Sequence, residues 1–599
     1  MSSFESSFGA RLVAPGRTRF RLWAPNSQEI QLEVEGLPPV PMTRLEDGWF
    51  EAEAGCSVGA RYRFRVPGGL AVPDPASRAQ NGDVHDASVV CDPDAYRWKN
   101  TAWTGRPWHE TVLYELHAGA LGGFDGVTRA LPALRDLGVT AVELMPVADF
   151  PGPRNWGYDG VLPYAPDAAY GTPDQLKALV DTAHGLGMMV FLDVVYNHFG
   201  PDGNYLGAYA GDFFRDDVHT PWGQAIDFRR RQVRDFFTEN AIYWLTEFRF
   251  DGLRLDAVHA ISEKDWLVEM AQRVRAAVPA GRHVHLVLEN DDNSASLLAR
   301  SPQRLFDAQW NDDMHHIMHV MLTGEREGYY AGYKSQAAEK LARGLTEGFI
   351  YQGEASLYPG SRPRGEPSAH LPPTSFVFFL QNHDQVGNRA FGERLTTMAD
   401  PHALRAATAL QLLSPHIPLL FMGEEFGATH PFLYFTSHLN QELADAVRNG
   451  RRQEFARFAA FSDPARREQI PDPNAEQTFQ RSIPRPDPEI SHVWADWIKA
   501  LLAIRRTHIV PRLEGAAAAG ADVLGPMAVK ARWRMSDGRV LMLAVNLAAA
   551  PVPISYDKLA DGQGGTLLFA TDGVEDAVHN GELGELPARA FLAVLEPSE

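Results

Sequence analysis

Four apolar segments of this 599-residue chain each end in acid, amide or imidazole side chains. The segment FRFDGLRLDAVHAI (248–261) carries Arg254 and Asp256 two residues apart, so both side chains point to the same side of a strand. An arginine beside a carboxylate keeps that carboxylate ionised and fixes its direction. A second segment, HVHLVLEN (283–290), ends in Glu289. We therefore expect two carboxyl groups held by neighbouring strands.

The other two segments, MMVFLDVVYNH (188–198) and FVFFLQNHDQVGN (376–388), end in the same way. Their polar side chains are Asp193, Asn197, His198, His383 and Asp384. A single aspartate at a strand end is more often a helix cap or a structural ion pair than a nucleophile. Helix caps and structural ion pairs do not require arginine, histidine and several carboxylates in the same chain segments. The four endings therefore indicate an active site.

A pair of rigidly held carboxyl groups without a cluster of metal ligands suits cleavage of a glycosidic bond. One acid protonates the leaving oxygen while a carboxylate attacks the sugar carbon or stabilises its positive charge. Asp256 is the better nucleophile, because Arg254 favours its ionised form. Glu289 follows the apolar run LVL, where burial would raise its pKa and keep it protonated. His383 and Asp384 would hold sugar hydroxyls.

Aromatic rings fit sugar rings through their apolar faces. The segment WGYDGVLPY (156–164) places Trp156 and Tyr158 after the predicted second strand. Packing in the core and binding of sugar explain these two aromatic residues equally well.

Strands that deliver polar groups at their ends are typical of the C-terminal face of a (β/α)₈ barrel. Eight strand–helix units, from 110–121 to 417–427, predict such a TIM barrel, an α/β fold, within residues 96–510. Its predicted helices include 173–188 and 229–247, and its seventh strand is predicted at 376–382. A small subdomain is expected at 199–228, and an insertion rich in proline and arginine at 428–490.

Short alternating segments flank this barrel. They predict an immunoglobulin-like β-sandwich over residues 1–95 and a second β-sandwich over residues 511–599. The tract GAAAAGA (515–521) is the one low-complexity stretch.

The composition excludes several functional classes. A net charge of −20 and a pI near 5.5 argue against nucleic-acid binding, which needs clustered lysine and arginine. No apolar run approaches the length of a membrane span, and no secretory signal is recognisable. Two cysteines are too few for a disulfide framework, so free thiols and a cytoplasmic location are expected.

Four ordered motifs resemble the conserved regions of the α-amylase family of glycoside hydrolases. They are DVVYNH (193–198), DGLRLDAVH (251–259), LEN (288–290) and FLQNHD (379–384). The resemblance covers the chain from the first barrel strand to the C-terminal sandwich. The N-terminal sandwich is similar to accessory domains of branching and debranching members.

The resemblance implies that Asp256 is the nucleophile, Glu289 the acid/base and Asp384 the transition-state stabiliser. It also implies retention of configuration, with the two reacting carboxyl groups about 5 Å apart. The side chains expected to bind substrate are Arg254, His198, His383, Tyr158, Trp156, Asp193, His259, Phe432 and Tyr434. Many family members hold calcium through the residue that matches Asn197, but the segment 199–228 has no calcium-loop spacing. Asn197 is therefore expected to be a local hydrogen-bonding residue, and no cofactor and no metal are expected.

Narrower stretches resemble those family members that cleave the α-1,4 bond next to a terminal trehalose. These stretches are 286–293, 309–316, 381–395 and 431–438. They imply that the substrate is maltooligosyltrehalose. The chain is expected to be a monomer. Typical amylases carry Lys-His shortly after the nucleophile, whereas this chain has His259 and Ala260, which suits a different leaving group. A branching-type transglycosylase and an inactive glycan-binding barrel are the two alternatives.

Overall fold

The structure is a computed structural model, and it describes residues 6–220, 222–299, 305–355, 362–554, 565–571, 573–575 and 584–598. Its centre is a closed barrel of eight parallel strands in the order β10-β11-β14-β17-β18-β19-β20-β21, with β21 hydrogen-bonded to β10. The predicted fold class is confirmed. The strands of the barrel region are β10 (Leu113–Leu116), β11 (Ala141–Leu144), β12 (Ala148–Asp149), β13 (Leu162–Pro166), β14 (Met189–Val194), β15 (Phe214–Thr220), β16 (Gly223–Ile226), β17 (Gly252–Leu255), β18 (His285–Leu288), β19 (Ala308–Trp310), β20 (Phe376–Phe378) and β21 (Ile417–Phe421).

Every residue of the eight barrel strands is buried, as expected for a parallel sheet covered by helices on its outer face. The hairpins β12–β13 and β15–β16 lie outside the barrel, and the second occupies the segment where a small subdomain was expected.

Amphipathic helices surround the barrel, and the helices predicted at 173–188 and 229–247 are confirmed as α2 and α3. Helix α2 begins with a capping box, in which the side chains and backbone N–H groups of Thr172 and Gln175 bond reciprocally. The helices are α1 (Gly123–Leu137), α2 (Pro173–Gly185), α3 (Arg231–Thr246), α4 (Lys264–Ala277), α5 (Asp312–Thr323), α6 (Ala337–Glu347), α7 (His383–Gly387), α8 (Leu395–Met398), α9 (Pro401–Leu413), α10 (Gln441–Glu454), α11 (Pro464–Arg467), α12 (Glu476–Ser482) and α13 (Ser491–Ile504).

The predicted seventh strand is too long. It was expected over 376–382, but β20 ends at Phe378 and a short helix, α7, begins at His383. The reason is a helix cap: the side chain of Asn382 accepts a hydrogen bond from the N–H of Gln385. The polar residues that follow this strand therefore lie on a helix.

The N-terminal module consists of two antiparallel sheets, with strand orders β1-β2-β6-β5 and β4-β3-β7-β8, and β9 pairs with β7. The ring of Phe20 in the first sheet meets Tyr62 in the second at 4.8 Å between centroids, so the two sheets pack face to face. The strands are β1 (Gly9–Ala14), β2 (Arg17–Trp23), β3 (Gln31–Val34), β4 (Val40–Pro41), β5 (Thr43–Arg44), β6 (Trp49–Ala54), β7 (Arg61–Arg65), β8 (Ala71–Val72) and β9 (Ser88–Val89).

The C-terminal module has a five-stranded antiparallel sheet, β22-β23-β24-β28-β26, and a two-stranded sheet, β25-β27. Trp533 in β23 contacts the ring of His416, which places the larger sheet against the barrel. The strands are β22 (Ala517–Gly525), β23 (Ala528–Arg534), β24 (Val540–Asn546), β25 (Val552–Pro553), β26 (Thr566–Ala570), β27 (Glu585–Leu586) and β28 (Ala590–Glu596).

Both cysteines, Cys56 and Cys91, are free thiols, as predicted. Among the described residues, no helix has the length and apolar character that a membrane crossing requires.

Candidate active site

Arg254 is the centre of a buried network at the C-terminal end of the barrel. It lies in β17 and is fully buried. Its Nη1 donates to both carboxylate oxygens of Asp193, at 2.9 and 2.8 Å, and to Oδ1 of Asp256 at 2.6 Å. Its Nη2 lies 3.9 Å from Oε2 of Glu289, and its guanidinium rests over the ring of Trp310 at 4.4 Å. One cation therefore organises three carboxyl groups from three strands.

The carboxyl groups of Asp256 and Glu289 each accept a further hydrogen bond from a neighbouring residue. Asn197 donates from Nδ2 to Oδ2 of Asp256 at 2.9 Å, which confirms its prediction as a hydrogen-bonding residue. Ala257 adopts a left-handed backbone conformation, φ +40°, and its N–H donates to Oε2 of Glu289 at 2.5 Å. Strained conformations of this kind concentrate at functional sites. The side chains of Asp256 and Glu289 keep 11% and 16% of their surface exposed, so both can reach a ligand.

Glu289 and Asp384, two acids of the site, favour different protonation states. Burial raises the pKa of Glu289, and Asp256 adds to the rise while Arg254 opposes it. This direction confirms the sequence prediction and favours a protonated carboxyl group. Burial would also raise the pKa of Asp384, but the cations of His383 and Arg254 outweigh it and lower that pKa to about 2. Asp384 is therefore ionised at neutral pH.

His383 carries a positive charge in this site. Burial lowers its pKa, but Asp384 and Glu115 together raise it well above the usual value. Glu115, in β10, contacts the imidazole Nδ1 and accepts a hydrogen bond from the N–H of His383 at 3.0 Å. Glu115 was not among the site residues predicted from the sequence, although a carboxylate inside the apolar strand LYEL was a usable signal. Glu143 in β11 is another carboxyl group inside an apolar barrel strand, and burial raises its pKa well above the usual value.

Tyr158 and His198 form one wall of the site. The ring of Tyr158 stacks on His383 at 5.0 Å, and its hydroxyl donates to Asp193 at 2.5 Å. Burial raises the pKa of Asp193 to about 7, against the opposing effect of Arg254. The ring of His198 stacks on Trp222 at 4.7 Å.

Trp222 lies between strands β15 and β16 and is 48% exposed. Trp222 was not predicted from the sequence, because its place at the site depends on where the β15–β16 hairpin folds. Its contact with His198 brings the β15–β16 hairpin to the rim of the site.

Three aromatic residues selected from the sequence pack together behind this wall. Trp156 is 3% exposed and stacks on Phe432, which is fully buried, at 5.4 Å. The indole N–H of Trp156 donates to the carbonyl of Leu433 at 2.9 Å. Neither Trp156 nor Phe432 presents an open face to a sugar. Tyr434 is half-buried and meets the edge of Trp156 at 5.1 Å.

A further acid, Asp312, lies next to the site at the start of α5. Burial raises its pKa well above the usual value, and the nearby Glu289 adds to the rise. Gln385 donates to Oδ1 of Asp312 at 3.4 Å. His259 lies on the same side, and its Nδ1 accepts from the N–H of Asp291 at 3.3 Å. Asp312 lies in the stretch 309–316 but was not among the site residues predicted from the sequence.

The described part of the chain contains no group of three or more His, Cys, Asp or Glu side chains placed to hold a metal ion. That no metal is required stays a prediction.

This arrangement suits chemistry at an acetal carbon. Asp256 is oriented by Arg254, Glu289 has a raised pKa and Asp384 is ionised, and the three side chains surround one partly open space. Cleavage of a glycosidic bond needs a nucleophile, a proton donor and negative charge beside a developing cation.

Comparison with known proteins agrees with this chemistry. Residues 85–212 match the model of the alpha amylase catalytic domain, and residues 516–592 match a domain of unknown function, DUF3459. A malto-oligosyltrehalose trehalohydrolase of Deinococcus radiodurans is 44% identical, over 78% of this chain and 76% of its own length. One from a Rhizobium species is 36% identical over 96% of both chains. The crystal structure of a putative alpha amylase from Salmonella typhimurium superposes with a TM-score of 0.91 at 43% identity, covering 99% of this chain and 100% of that one.

Proposed function

The chain belongs to the malto-oligosyltrehalose trehalohydrolase family of α-amylase-type glycoside hydrolases, and we propose that it hydrolyses the α-1,4 bond next to the terminal trehalose of maltooligosyltrehalose. The products are trehalose and a shortened maltooligosaccharide. The observation that carries the chemistry is the shared guanidinium of Arg254, 2.6 Å from Asp256 and 3.9 Å from Glu289.

In the first step, a carboxylate oxygen of Asp256 attacks the anomeric carbon of the glucose that precedes the scissile bond. The bond from that carbon to the trehalose oxygen breaks, and Glu289 gives its proton to the departing oxygen. Asp384, ionised because its pKa is about 2, stabilises the positive charge that develops on the sugar ring. Trehalose leaves, and the remaining glucan is esterified to Asp256.

In the second step, Glu289 acts as a base. It removes a proton from water, the water oxygen attacks the anomeric carbon, and the ester bond to Asp256 breaks. Two displacements on the same carbon restore the original configuration. The enzyme returns with Asp256 ionised and Glu289 protonated.

The surrounding side chains divide into two groups in this proposal. Tyr158, His198 and His383 support the sugar whose bond breaks, and Arg254 and Asp193 orient the nucleophile. Trp156, Phe432 and Tyr434 support that wall from behind, since two of the three are buried. The side chains proposed to contact the leaving trehalose are His259, Asp312 and Gln385.

Neither alternative explains the chain as well. A branching enzyme passes the glucan to a sugar hydroxyl instead of water, but the relatives that match along most of the chain carry the trehalohydrolase name. An inactive glycan-binding barrel would have no need of Glu289 and Asp384 with pKa values shifted in opposite directions beside Asp256. The monomeric state and the cytoplasmic location stay predictions.

Product analysis tests the proposal. The purified protein is incubated separately with maltooligosyltrehalose and with maltopentaose, and Asp256→Asn serves as the inactive control. We expect trehalose from the first substrate and little change in the second. General shortening of maltopentaose, or branched products, would reassign the chain within the α-amylase family.

Specificity is tested separately with Asp312→Ala. If Asp312 contacts the leaving disaccharide, this variant loses much of its preference for trehalose-capped over plain maltooligosaccharides. An unchanged ratio of the two kcat/KM values would place the specificity contacts elsewhere.

A further inference from the structure

A second large cleft lies on the opposite side of the barrel from the candidate active site. Its volume is about 1550 Å³, and we call it the linker cleft because residues 91–103, between the N-terminal sheets and the barrel, form one side. The N-terminal strand β1 and the C-terminal end of α3 form other sides of the linker cleft. Trp103 and Arg249 line it just before β10 and β17, so it faces the N-terminal ends of the barrel strands.

Arg249 lies in this cleft without a carboxylate partner among the described residues. Its guanidinium rests on the ring of Trp98 at 4.4 Å. Its backbone has φ +57°, a conformation that side chains other than glycine rarely adopt. The fold therefore accepts backbone strain at a residue whose cationic group faces a cleft.

Two acids, Asp92 and Asp94, line the cleft beside the arginines, and three other acids near Arg249 are engaged elsewhere. Asp181 accepts hydrogen bonds from the backbone N–H groups of Lys99 and Asn100, at 2.8 and 2.9 Å. Glu247 pairs with Lys177 at 3.2 Å. The carboxylate of Asp251, buried beneath the cleft, accepts from the indole of Trp103 at 2.8 Å and lies 2.9 Å from Nε2 of His184. These carboxylates stabilise the cleft wall and leave the charge of Arg249 uncompensated at contact distance.

Further guanidinium groups add positive charge to the same cleft. Arg282 lies near Arg249: burial lowers its pKa, the charge of Asp251 opposes this shift, and the charge of Arg249 adds to it. Its Nη2 donates to the carbonyl of Phe250 at 2.7 Å, an interaction that carries no neutralising charge. Arg97, on the rim, is exposed, and no ion pair holds it among the described residues. In a chain with a net charge of −20, such a group of arginines favours an anionic ligand.

We propose that the linker cleft binds a small molecule that carries a phosphoryl group, with Arg249 as its main contact and Arg97 and Arg282 nearby. Guanidinium groups bind phosphoryl oxygens through paired, charge-assisted hydrogen bonds. A neutral glucan fits less well, because the ring of Trp98 is already covered by Arg249 and also faces His184 at 6.5 Å. The volume exceeds that of a lone ion, so the cleft has room for an attached organic group.

The proposal is independent of the hydrolytic activity, so its test measures binding directly. Isothermal titration calorimetry at constant ionic strength is run with inorganic phosphate, glucose 6-phosphate and ATP, and with citrate as a non-phosphate anion. We expect saturable binding of at least one phosphate compound and weaker binding of citrate. Tighter binding of the organic phosphates than of inorganic phosphate would show that the cleft also binds the attached group.

The matched variants are Arg249→Gln and Arg534→Gln. Arg534 is an exposed arginine in β23, remote from the cleft, so its substitution removes the same charge elsewhere. Arg249→Gln should raise the dissociation constant at least about tenfold, as expected for loss of a hydrogen bond to a charged group, while Arg534→Gln leaves it unchanged. Normal trehalose release by Arg249→Gln shows that the variant is folded.

Three results would overturn the proposal. The first is no saturable binding of any phosphate compound up to about 10 mM, well above the Kd of a specific site. The second is citrate binding as tightly as the phosphates. The third is the same affinity in both variants.

Discussion

The network around Arg254 makes a quantitative prediction for the substitution Arg254→Lys. The Nη1 atom of Arg254 serves two carboxylates at once, Asp193 at 2.8 Å and Asp256 at 2.6 Å. A lysine ammonium is a single point charge on a different stem, so it can hold one of these carboxylates but not both. A hydrogen bond to a charged group contributes about 1.5–3 kcal/mol, and we expect the contact with Asp256 to be lost.

That loss would appear in turnover. At about 1.4 kcal/mol per factor of ten, losing about 3 kcal/mol of orientation at the nucleophile lowers kcat roughly 100-fold. The free energy of unfolding should fall by a comparable amount, because the carboxylate that loses the contact stays buried. Trehalose release under saturating substrate measures the first quantity, and urea unfolding measures the second.

The matched control is Arg505→Lys. Arg505 is also fully buried, and it donates to the carbonyls of Leu412, Ser414 and His416 at 3.0, 2.5 and 2.6 Å, away from the reacting carboxyl groups. This variant should lose stability and keep kcat within a factor of about two, since surface and remote changes seldom alter transition-state contacts. If Arg254→Lys keeps kcat within about threefold, or if both variants lose turnover equally, the proposed role of Arg254 is wrong.

Three further predictions follow from the site. Asp256→Asn and Glu289→Gln should each lower kcat by several orders of magnitude while the fold stays intact; more than about a tenth of wild-type activity in either would contradict its role. The pKa of Asp193 is raised to about 7, so its contribution to the free energy of unfolding is present below about pH 4 and lost as the pH rises through 7. Asp193→Asn should flatten the fall in stability between about pH 4 and pH 7 in urea titrations. Trp222→Ala should raise KM up to about tenfold with little change in kcat, as expected for loss of an aromatic surface at the rim, and an unchanged KM would exclude contact with substrate.

Local residue patterns were enough to predict the barrel and the convergence of Arg254, Asp256 and Glu289 at its open end. Arg254 and Asp256 share one strand with a two-residue period, and Glu289 directly follows the next strand, so their convergence depends only on parallel neighbours. The contact between His383 and Glu115 spans 268 positions of sequence, and nothing local to Glu115 indicates that partner. Trp222 was missed for the same reason, because its position depends on where a hairpin folds.

Propensity was misleading where tertiary pairing decided the structure. The tract GAAAAGA falls largely within β22, although alanine and glycine are depleted in strands, because Ala517–Gly525 pairs with β23 along most of its length. The end of β20 shows the opposite case, since the cap at Asn382 ends a strand that the apolar pattern would have continued. The burial of Phe432 depends on Trp156, a residue 276 positions earlier, so no local pattern could predict it.

The hydrogen bonds between β10 and β21 also constrain how the protein is made. The ribosome releases Leu113 of β10 about 300 residues before Phe421 of β21, an interval of roughly 15–60 s at ordinary rates of translation. During this time the edge of β10 that will pair with β21 is unpaired, and an unpaired strand edge is a site of aggregation. The N-terminal sheets are complete much earlier, and Ser7, ahead of their first strand, bonds to Glu239 of α3. We therefore expect nascent chains stalled before residue 417 to depend on chaperones, and chains stalled after residue 421 and clear of the exit tunnel to do so much less.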